Sequence, residues 1–347
     1  MKKYLFLMVL IGMISCKKDD NLGISPSEKN LQNISELRKK LTEAPYGWKV
    51  IYFPKTDSLL FANKDEILEK DPLFRERYGY GGYFFLMKFD EKGTVQMRAD
   101  YDPKSLTETK ESEFEIKQNT FTQLSFTTFN YIHRLVNDKW SGNSDFIYAG
   151  KNFENNLVFK TASYIEPTRE YIVFEKLKSK IDWENKENQP ETVLTTSYNN
   201  RKFFDRMKNP QVVIRKGSRI FFQSDMIVRS TRGTPQYNQF LREIIEKRYY
   251  LFRFNKKPDL VNPRIAKEST GLGSGYVGTE QGLTFRTGLR YTEKYIFRDF
   301  ERRGDKFVCE LVKVYDPILK REMYVSKHLY PDGEPTYFVA EIIDEQM

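Results

Sequence analysis

Histidine and cysteine are scarce in this chain of 347 residues, since each occurs only twice. No HExxH, His-x-His or CxxC spacing is present, and a zinc site built from several cysteines is therefore excluded. The two histidines, His133 and His328, stand in the unrelated stretches TTFNYIHRL and VSKHLYPDG, where a structural or surface role is more common than catalysis. We therefore predict no metal, no cofactor and no catalytic residue.

Long apolar runs are also missing. The run over residues 4–14 falls short of the roughly 20 residues that a membrane-spanning helix needs. Lys2 and Lys3 precede this run, and Ser15 and Cys16 follow it. A basic start, a short apolar segment and a small residue at the cleavage point are typical of a secretory signal peptide.

The four residues 13–16, MISC, resemble a bacterial lipobox, in which the cysteine is acylated and becomes the first residue of the mature protein. We therefore predict a signal peptide over residues 1–15, a lipidated Cys16 and a polar tether over residues 16–27. Two or three acyl chains hold a protein on a membrane without spanning it. The alternative is an ordinary cleaved signal peptide followed by a chance cysteine.

The tether begins with a short charged motif, Lys18, Asp19 and Asp20. This motif resembles the signal that sends Bacteroidota lipoproteins to the extracellular face of the outer membrane, and a solvated linker without a receptor is the alternative. The formal net charge of +9 is compatible with anionic envelope glycans, and we expect no nucleic-acid partner for an exported lipoprotein. With Cys16 acylated, only Cys309 remains, in a strand-like stretch that predicts a buried thiol and no disulfide.

Two helices are predicted. Ser25, Pro26 and Glu28 form a capping box with proline at the first helical position, and an apolar stripe follows until Pro45 ends the helix. The second predicted helix covers residues 235–250, where apolar side chains recur on one face.

The rest of the chain reads as strands, because aromatic and β-branched runs alternate with Gly, Pro, Asn and Asp. Predicted strands or hairpins cover residues 81–100, 122–130, 156–164, 169–177, 211–223 and 294–316. The DEKG sequence at residues 90–93 predicts a hairpin turn.

Three weakly similar blocks recur in the same order in the two halves of the chain, beginning at residues 83, 123 and 166 and again at 248, 282 and 316. We predict a mainly β protein of two tandem antiparallel sheet or barrel-like units with a few helices. The N-terminal β domain would cover residues 28–180, a linker or long loop 181–210, and the C-terminal β domain 211–347. A Gly-Trp strand opening a series of hairpins also resembles lipocalin-like barrels.

Possible chemical motifs are few. The glycine-rich residues 270–282 lead into a strand-like stretch, whereas a phosphate-binding loop opens a helix, so we interpret them as a flexible loop leading into a hairpin. Asp100 with Asp102, and Asp90 with Glu91, are interpreted as turn residues. A glycosidase would need two carboxylates facing each other about 5 to 10 Å apart, which local sequence does not reveal.

Three segments in order carry a family resemblance: LTEAPYGWKVIYFP (41–54), GGYFFLMKFDEKGTVQMRAD (81–100) and LSFTTFNYIH (124–133). Together with the lipobox and tether, they resemble a family of Bacteroidota outer-membrane lipoproteins that carry a domain of unknown function. Members are commonly encoded beside starch-utilisation-type (SusC/SusD-like) nutrient importers. The resemblance implies a location and partners, and it brings no catalytic residues with it.

The leading hypothesis is a non-enzymatic accessory subunit on the cell surface that binds a glycan or peptide for a TonB-dependent transporter and its lid lipoprotein. The second hypothesis is a glycan or peptide hydrolase that serves the same importer through paired carboxylates from distant strands. A third is a purely structural interaction module. A deep cleft between two carboxylates would favour the hydrolase, and a shallow aromatic surface would favour binding.

Overall fold

The computed structural model is described for nine parts of the chain. These are residues 25–54, 82–136, 142–161, 171–180, 183, 192–228, 250–254, 269–292 and 294–344. The lipidation and export residues Cys16, Lys18, Asp19 and Asp20 lie outside them, as do residues 235–249 of the helix predicted over 235–250. The last residue of that predicted helix, Tyr250, belongs to a strand.

Helices are few in the described ranges. They are α1 (Pro26–Thr42), α2 (Pro103–Thr107), a single 3-10 turn (His133–Leu135) and α3 (Val193–Asp205). None of the helices within these ranges has the length and apolarity needed to cross a bilayer.

Eight antiparallel strands form a closed barrel in which each strand pairs with its neighbour in sequence and β8 pairs with β1. They are β1 (Trp48–Tyr52), β2 (Tyr83–Phe89), β3 (Thr94–Ala99), β4 (Lys110–Gln118), β5 (Thr122–Phe126), β6 (Asp145–Lys151), β7 (Leu157–Thr161) and β8 (Tyr171–Lys176). This up-and-down order is the one that the lipocalin-like prediction implies.

The described part of the second unit is a 10-stranded antiparallel sheet in the order β12-β11-β10-β9-β18-β16-β15-β14-β13, with β17 paired to β16. Its strands are β9 (Pro210–Lys216), β10 (Arg219–Val228), β11 (Tyr250–Phe254), β12 (Ser269–Ser274), β13 (Tyr276–Gly278), β14 (Gly282–Arg290), β15 (Ile296–Arg303), β16 (Lys306–Asp316), β17 (Arg321–Ser326) and β18 (Glu334–Asp344). The prediction of a mainly β protein with tandem β units is confirmed.

The capping box of α1 is present as predicted. The Ser25 hydroxyl accepts a hydrogen bond from the Glu28 backbone N–H, and the Glu28 carboxylate accepts one from the Ser25 N–H. Leu37 and Leu41 are buried against the barrel strands. The Trp48 indole N–H donates to the Leu41 carbonyl oxygen at 2.8 Å, so the end of the helix is joined to the first strand.

The barrel is filled by its own side chains. Inward positions of the strands carry buried aromatic rings, and edge-to-face pairs join them, such as Tyr52 with Phe146 at 5.3 Å and Phe89 with Phe114 at 4.9 Å. Such an eight-stranded barrel has just enough interior for side chains. The interior is therefore a hydrophobic core, and a ligand site has to be sought elsewhere in the described structure.

Two segments differ from the sequence interpretation. Residues 193–205, within the expected linker, form α3, because Thr192 caps the helix and Leu194 and Phe204 are fully buried. The structure also corrects the flexible-loop interpretation of residues 270–282, most of which belong to β12 and β13. The hairpin that was expected there does form, through the turn between β13 and β14.

The two units share a hydrophobic contact, which we call the junction. Phe84 and Leu86 of the barrel pack with Leu194 of α3 and Val277 of β13, and the Gly82 N–H donates to a carbonyl oxygen of β13. Gly278 lets α3 approach β13, since a Cβ atom on this glycine would lie 1.9 Å from the Ser197 carbonyl oxygen. The polar composition of the α3 segment had concealed this buried role.

Candidate functional site

A cavity of about 430 Å³ opens between β15 and β17. Both strands lie along the same edge of β16: β15 pairs with residues 306–308 and β17 with residues 311–316. The cavity lies between these two successive partners. Its walls are formed by Lys294, Ile296, Arg298 and Asp299 on one side and by residues 321–326 on the other.

Aromatic rings continue from the cavity wall across the sheet. We call this set the aromatic cluster; it contains Phe221, Phe222, Tyr291, Tyr295, Tyr324 and Phe338. Tyr324, in the wall, lies edge-on to Tyr295 at 5.3 Å, and Tyr295 stacks on Phe338 at 4.1 Å. Most of these rings are only partly buried, and Phe221 is exposed. Partly exposed rings offer an apolar face with a polar edge to a ligand.

A β-bulge beside the cluster presents one further ring. In the β16–β18 ladder Glu310 faces Val339 and Val312 faces Pro335, so three residues of β18 stand opposite Leu311 alone. The middle one, Tyr337, has φ of +62° and is 69% exposed. Left-handed backbone at a bulky residue is uncommon, and bulges redirect side chains near functional sites.

A set of polar and charged side chains lies at the junction, away from the cavity. Lys49 of β1 forms an ion pair with Glu175 of β8 at 3.0 Å and another with Glu280 in the turn between β13 and β14. Nearby, the Tyr330 hydroxyl donates a hydrogen bond to Glu154, and Phe153 stacks on Tyr330 at 5.5 Å. These contacts join the outer surface of the barrel to the second sheet.

Glu154 has an unusual electrostatic environment. Much of the residue is exposed, but atoms packed around its carboxyl group desolvate it, and this raises its pKa even though Tyr330 donates a hydrogen bond. The negative charges of Asp299 and Glu175 raise the pKa of Glu154 further. In the same way, desolvation and the Glu154 charge raise the pKa of Tyr330.

The raised pKa of Glu154 predicts a pH effect on stability. A carboxyl group with a higher pKa in the folded state stabilises the fold at low pH, and that contribution is lost as pH rises through the folded-state pKa. We expect Glu154→Gln to be more stable than wild type above neutral pH, by at most about 1 kcal/mol because solvent screens the group, and similar to wild type near pH 4.

Urea unfolding of both proteins across that pH range measures the effect. Glu111→Gln, at an exposed position with no ion pair among the described residues, is the control. An equal stability difference for Glu154→Gln at every pH would contradict the prediction.

The acidic pairs found in the sequence have separate structural roles. Asp90 accepts hydrogen bonds from Thr94 in the β2–β3 turn, as expected. Asp102 caps α2 by accepting from the Ser105 N–H at 2.7 Å. The turn interpretation is wrong for Asp100, which is fully buried at the junction and accepts from the Phe84 N–H. Local sequence gave no signal for this long-range burial.

Asp100 belongs to a buried charge cluster, defined here as Asp100, Arg201, Asp205 and Tyr276. Arg201 is fully buried and lies 3.2 Å from the Asp205 carboxylate and 3.9 Å from that of Asp100. The Tyr276 hydroxyl donates to Asp205. The cluster links the end of β3, α3 and β13, so its position indicates a structural role in joining the units.

The histidines and the remaining cysteine lie apart from one another. His133 accepts a hydrogen bond from the Asn130 N–H in the 3-10 turn, and His328 is half-buried beyond β17; burial lowers the pKa of both. Cys309 is fully buried beside Ser326, and burial raises its pKa to about 12. Within the described ranges, no group of His, Cys, Asp or Glu has an arrangement that could hold a metal ion.

A family model described as a domain of unknown function, DUF4302, matches residues 18–304. The chain belongs to the DUF4302 family. No curated protein and no solved structure matches it. The DUF4302 match covers the barrel, α3 and the second sheet as far as β15, so one wall of the cavity lies inside the match and the β17 wall lies after it.

Sequence reasoning left the ligand site of this DUF4302 protein unassigned, and it missed the cavity residues. The alternation in KYIFRDF places Lys294, Ile296 and Arg298 on the side opposite to buried Phe297, so one wall could have been proposed from period-two patterning. The facing wall is formed by β17, which pairs with the same edge of β16 as β15 does. No local sequence pattern reveals that arrangement.

Proposed function

We propose that this protein is a surface-exposed outer-membrane lipoprotein that acts as a non-enzymatic binding subunit of a TonB-dependent nutrient importer. The observation that carries the proposal is the cavity between β15 and β17 with the adjoining aromatic cluster. Concave sites that combine rings with a few polar groups are the usual form of ligand sites. The lipobox at Cys16 supplies the anchor, and the family resemblance motivates the importer and lid lipoprotein as partners.

A glycan ligand suits the cluster better than a small apolar molecule. The rings are partly exposed, so they can stack on sugar faces while charged side chains reach hydroxyl or acidic groups. Phe221 would extend the same surface beyond the cavity, because it is exposed and its ring lies 5.8 Å from that of Phe338.

The test is binding of the purified protein, without its signal peptide and with Cys16 replaced by Ser, to an array of polysaccharide fragments. We expect binding that Tyr324→Ala weakens about five-fold or more, since losing one stacking ring costs about 1 to 3 kcal/mol. Tyr324→Phe keeps the ring and should bind within about three-fold of wild type. Failure of every fragment to bind, or equal binding by Tyr324→Ala, would contradict the binding function.

A hydrolase is the second candidate, favoured by the environment of Glu154. A raised carboxyl pKa beside other carboxylates is what a general acid needs, and the charges of Asp299 and Glu175 both act on it. Release of new reducing ends from a bound fragment, lost in Glu154→Gln and retained in Glu111→Gln, would establish the hydrolase. Fragments recovered intact would support the binding subunit.

A further inference from the structure

We infer that the cavity and aromatic cluster select acidic glycans, whose sugars carry carboxylate or sulfate groups. The inference rests on the proposed binding function and adds the chemical class of the ligand. It derives from the balance of charge around the rings.

Positive side chains surround the aromatic cluster. Three lie over its rings: Lys216 is 5.2 Å from the Phe338 ring centroid, Arg219 is 4.9 Å from that of Phe221, and Lys294 is 4.7 Å from that of Tyr324.

Arg298 and Arg321 add two guanidinium groups, one in each wall of the cavity. Among the residues that the structure describes, none of these five cations has an ion-pair partner.

The two acidic side chains of the cavity lie on opposite walls. Glu322 forms an ion pair with Lys313 at 3.3 Å, whereas Asp299 accepts a hydrogen bond from the neutral Thr284 hydroxyl at 2.8 Å and keeps its charge. Among the described residues, the five cations without an ion pair therefore outnumber the single carboxylate without one, Asp299, and the net charge offered to a ligand is positive.

Guanidinium groups favour one type of ligand group. Arginine presents a planar set of donors that matches a carboxylate or sulfate with two parallel hydrogen bonds. Arg298 and Arg321 lie on opposite walls, so an acidic sugar between them could be held from both sides while its neighbour stacks on Tyr324. Neutral sugars would use the rings and leave both arginines without a partner.

Single-stranded nucleic acid also combines bases that stack with an anionic backbone. Because the proposed function is the binding of nutrient at the cell surface, we favour a glycan as the ligand. A single-stranded oligonucleotide is included in the test as the competing outcome.

The experiment measures the affinity of the purified wild-type protein for oligogalacturonides, for sulfated galactan fragments and for neutral galactan fragments of equal length. We expect one or both acidic fragments to bind at least about ten-fold more tightly than the neutral one, which is the ratio expected from one charge-assisted hydrogen bond. Added salt should reduce that difference. The acidic fragment that binds more tightly identifies carboxylate or sulfate as the recognised group.

Arg298→Gln and Arg321→Gln should each reduce the acidic affinity about ten-fold and leave neutral binding unchanged. Lys88→Gln removes an exposed charge from the barrel and serves as the control. Equal affinity for acidic and neutral fragments, or tighter binding of a single-stranded oligonucleotide, would overturn the inference. Tyr324-dependent binding of neutral fragments alone would refute it and still support the binding function, whereas absence of any glycan binding would refute both.

Discussion

Replacing Arg201 with Met should destabilise the protein by about 3 to 5 kcal/mol, because it removes the buried guanidinium group that forms ion pairs with Asp100 and Asp205. Methionine retains the size of the aliphatic part of the arginine side chain, so lost packing contributes less than the lost charge. The free energy of unfolding from urea titration measures the effect. Arg206→Met, at an exposed position one turn onward in the same segment, should change it by less than about 0.5 kcal/mol.

A compensating variant separates charge from packing. Changing Asp100 and Asp205 to Asn in the Arg201→Met background removes the two carboxylate charges that Arg201 balanced, and we expect part of the lost stability to return. A loss below about 1 kcal/mol for Arg201→Met alone would show that water or other groups compensate the carboxylates, and would contradict the structural role of the charge cluster.

Gly278→Ala should cost about 3 kcal/mol or more, although it adds a single methyl group. The new Cβ atom would lie 1.9 Å from the Ser197 carbonyl oxygen and 3.0 Å from the Arg201 Cβ, and both atoms belong to α3. Overpacking in a well-packed core typically costs 1 to 3 kcal/mol, and here neither neighbour is a flexible side-chain end. The helix would have to move away from β13 and disturb the charge cluster as well.

Gly304→Ala is the matched control. This glycine has φ of +65° in the β15–β16 turn, and nothing lies within 4 Å of the position of its Cβ atom. The expected cost is therefore the backbone strain of about 1 to 2 kcal/mol. If Gly278→Ala were no more destabilising than Gly304→Ala in urea unfolding, the close contact between α3 and β13 would not be a tight constraint.

Much of the fold could be predicted because the relevant signals are local. The capping box placed α1, and the DEKG turn placed the β2–β3 hairpin. The apolar stripe of α1 predicted only part of its buried face, since Leu31 near the start of the helix is exposed whereas Leu41 near its end is fully buried. Position along the helix, and not periodicity alone, decides which residues reach the barrel.

The repeated blocks indicated two units but did not describe equivalent strands. Block 166–174 contributes to β8, which closes the barrel by pairing with both β7 and β1. Block 316–325 contributes to β17, which pairs with β16 alone among the described strands. Strand sequences resemble one another because they obey the same period-two patterning, so similarity of this kind carries little topology.

The features that sequence reasoning missed depend on distant contacts. Asp100 and Arg201 are 101 residues apart, and only the junction of the two units makes either of them buried. Similarly, the cavity exists because β15 and β17 share one edge of β16. No single segment carries the signal for these arrangements, which explains why the polar α3 segment was expected to be a linker.

The most direct test of the proposed role is mild detergent extraction of the native outer membrane containing this protein with an affinity tag, followed by mass spectrometry of what co-purifies. Cys16→Ser, which lacks the acylation site, is the control for carry-over of membrane material. We predict that the wild-type protein brings with it a TonB-dependent transporter and a lid lipoprotein in comparable amounts. Recovery of the protein alone from the membrane would contradict its role as an importer subunit.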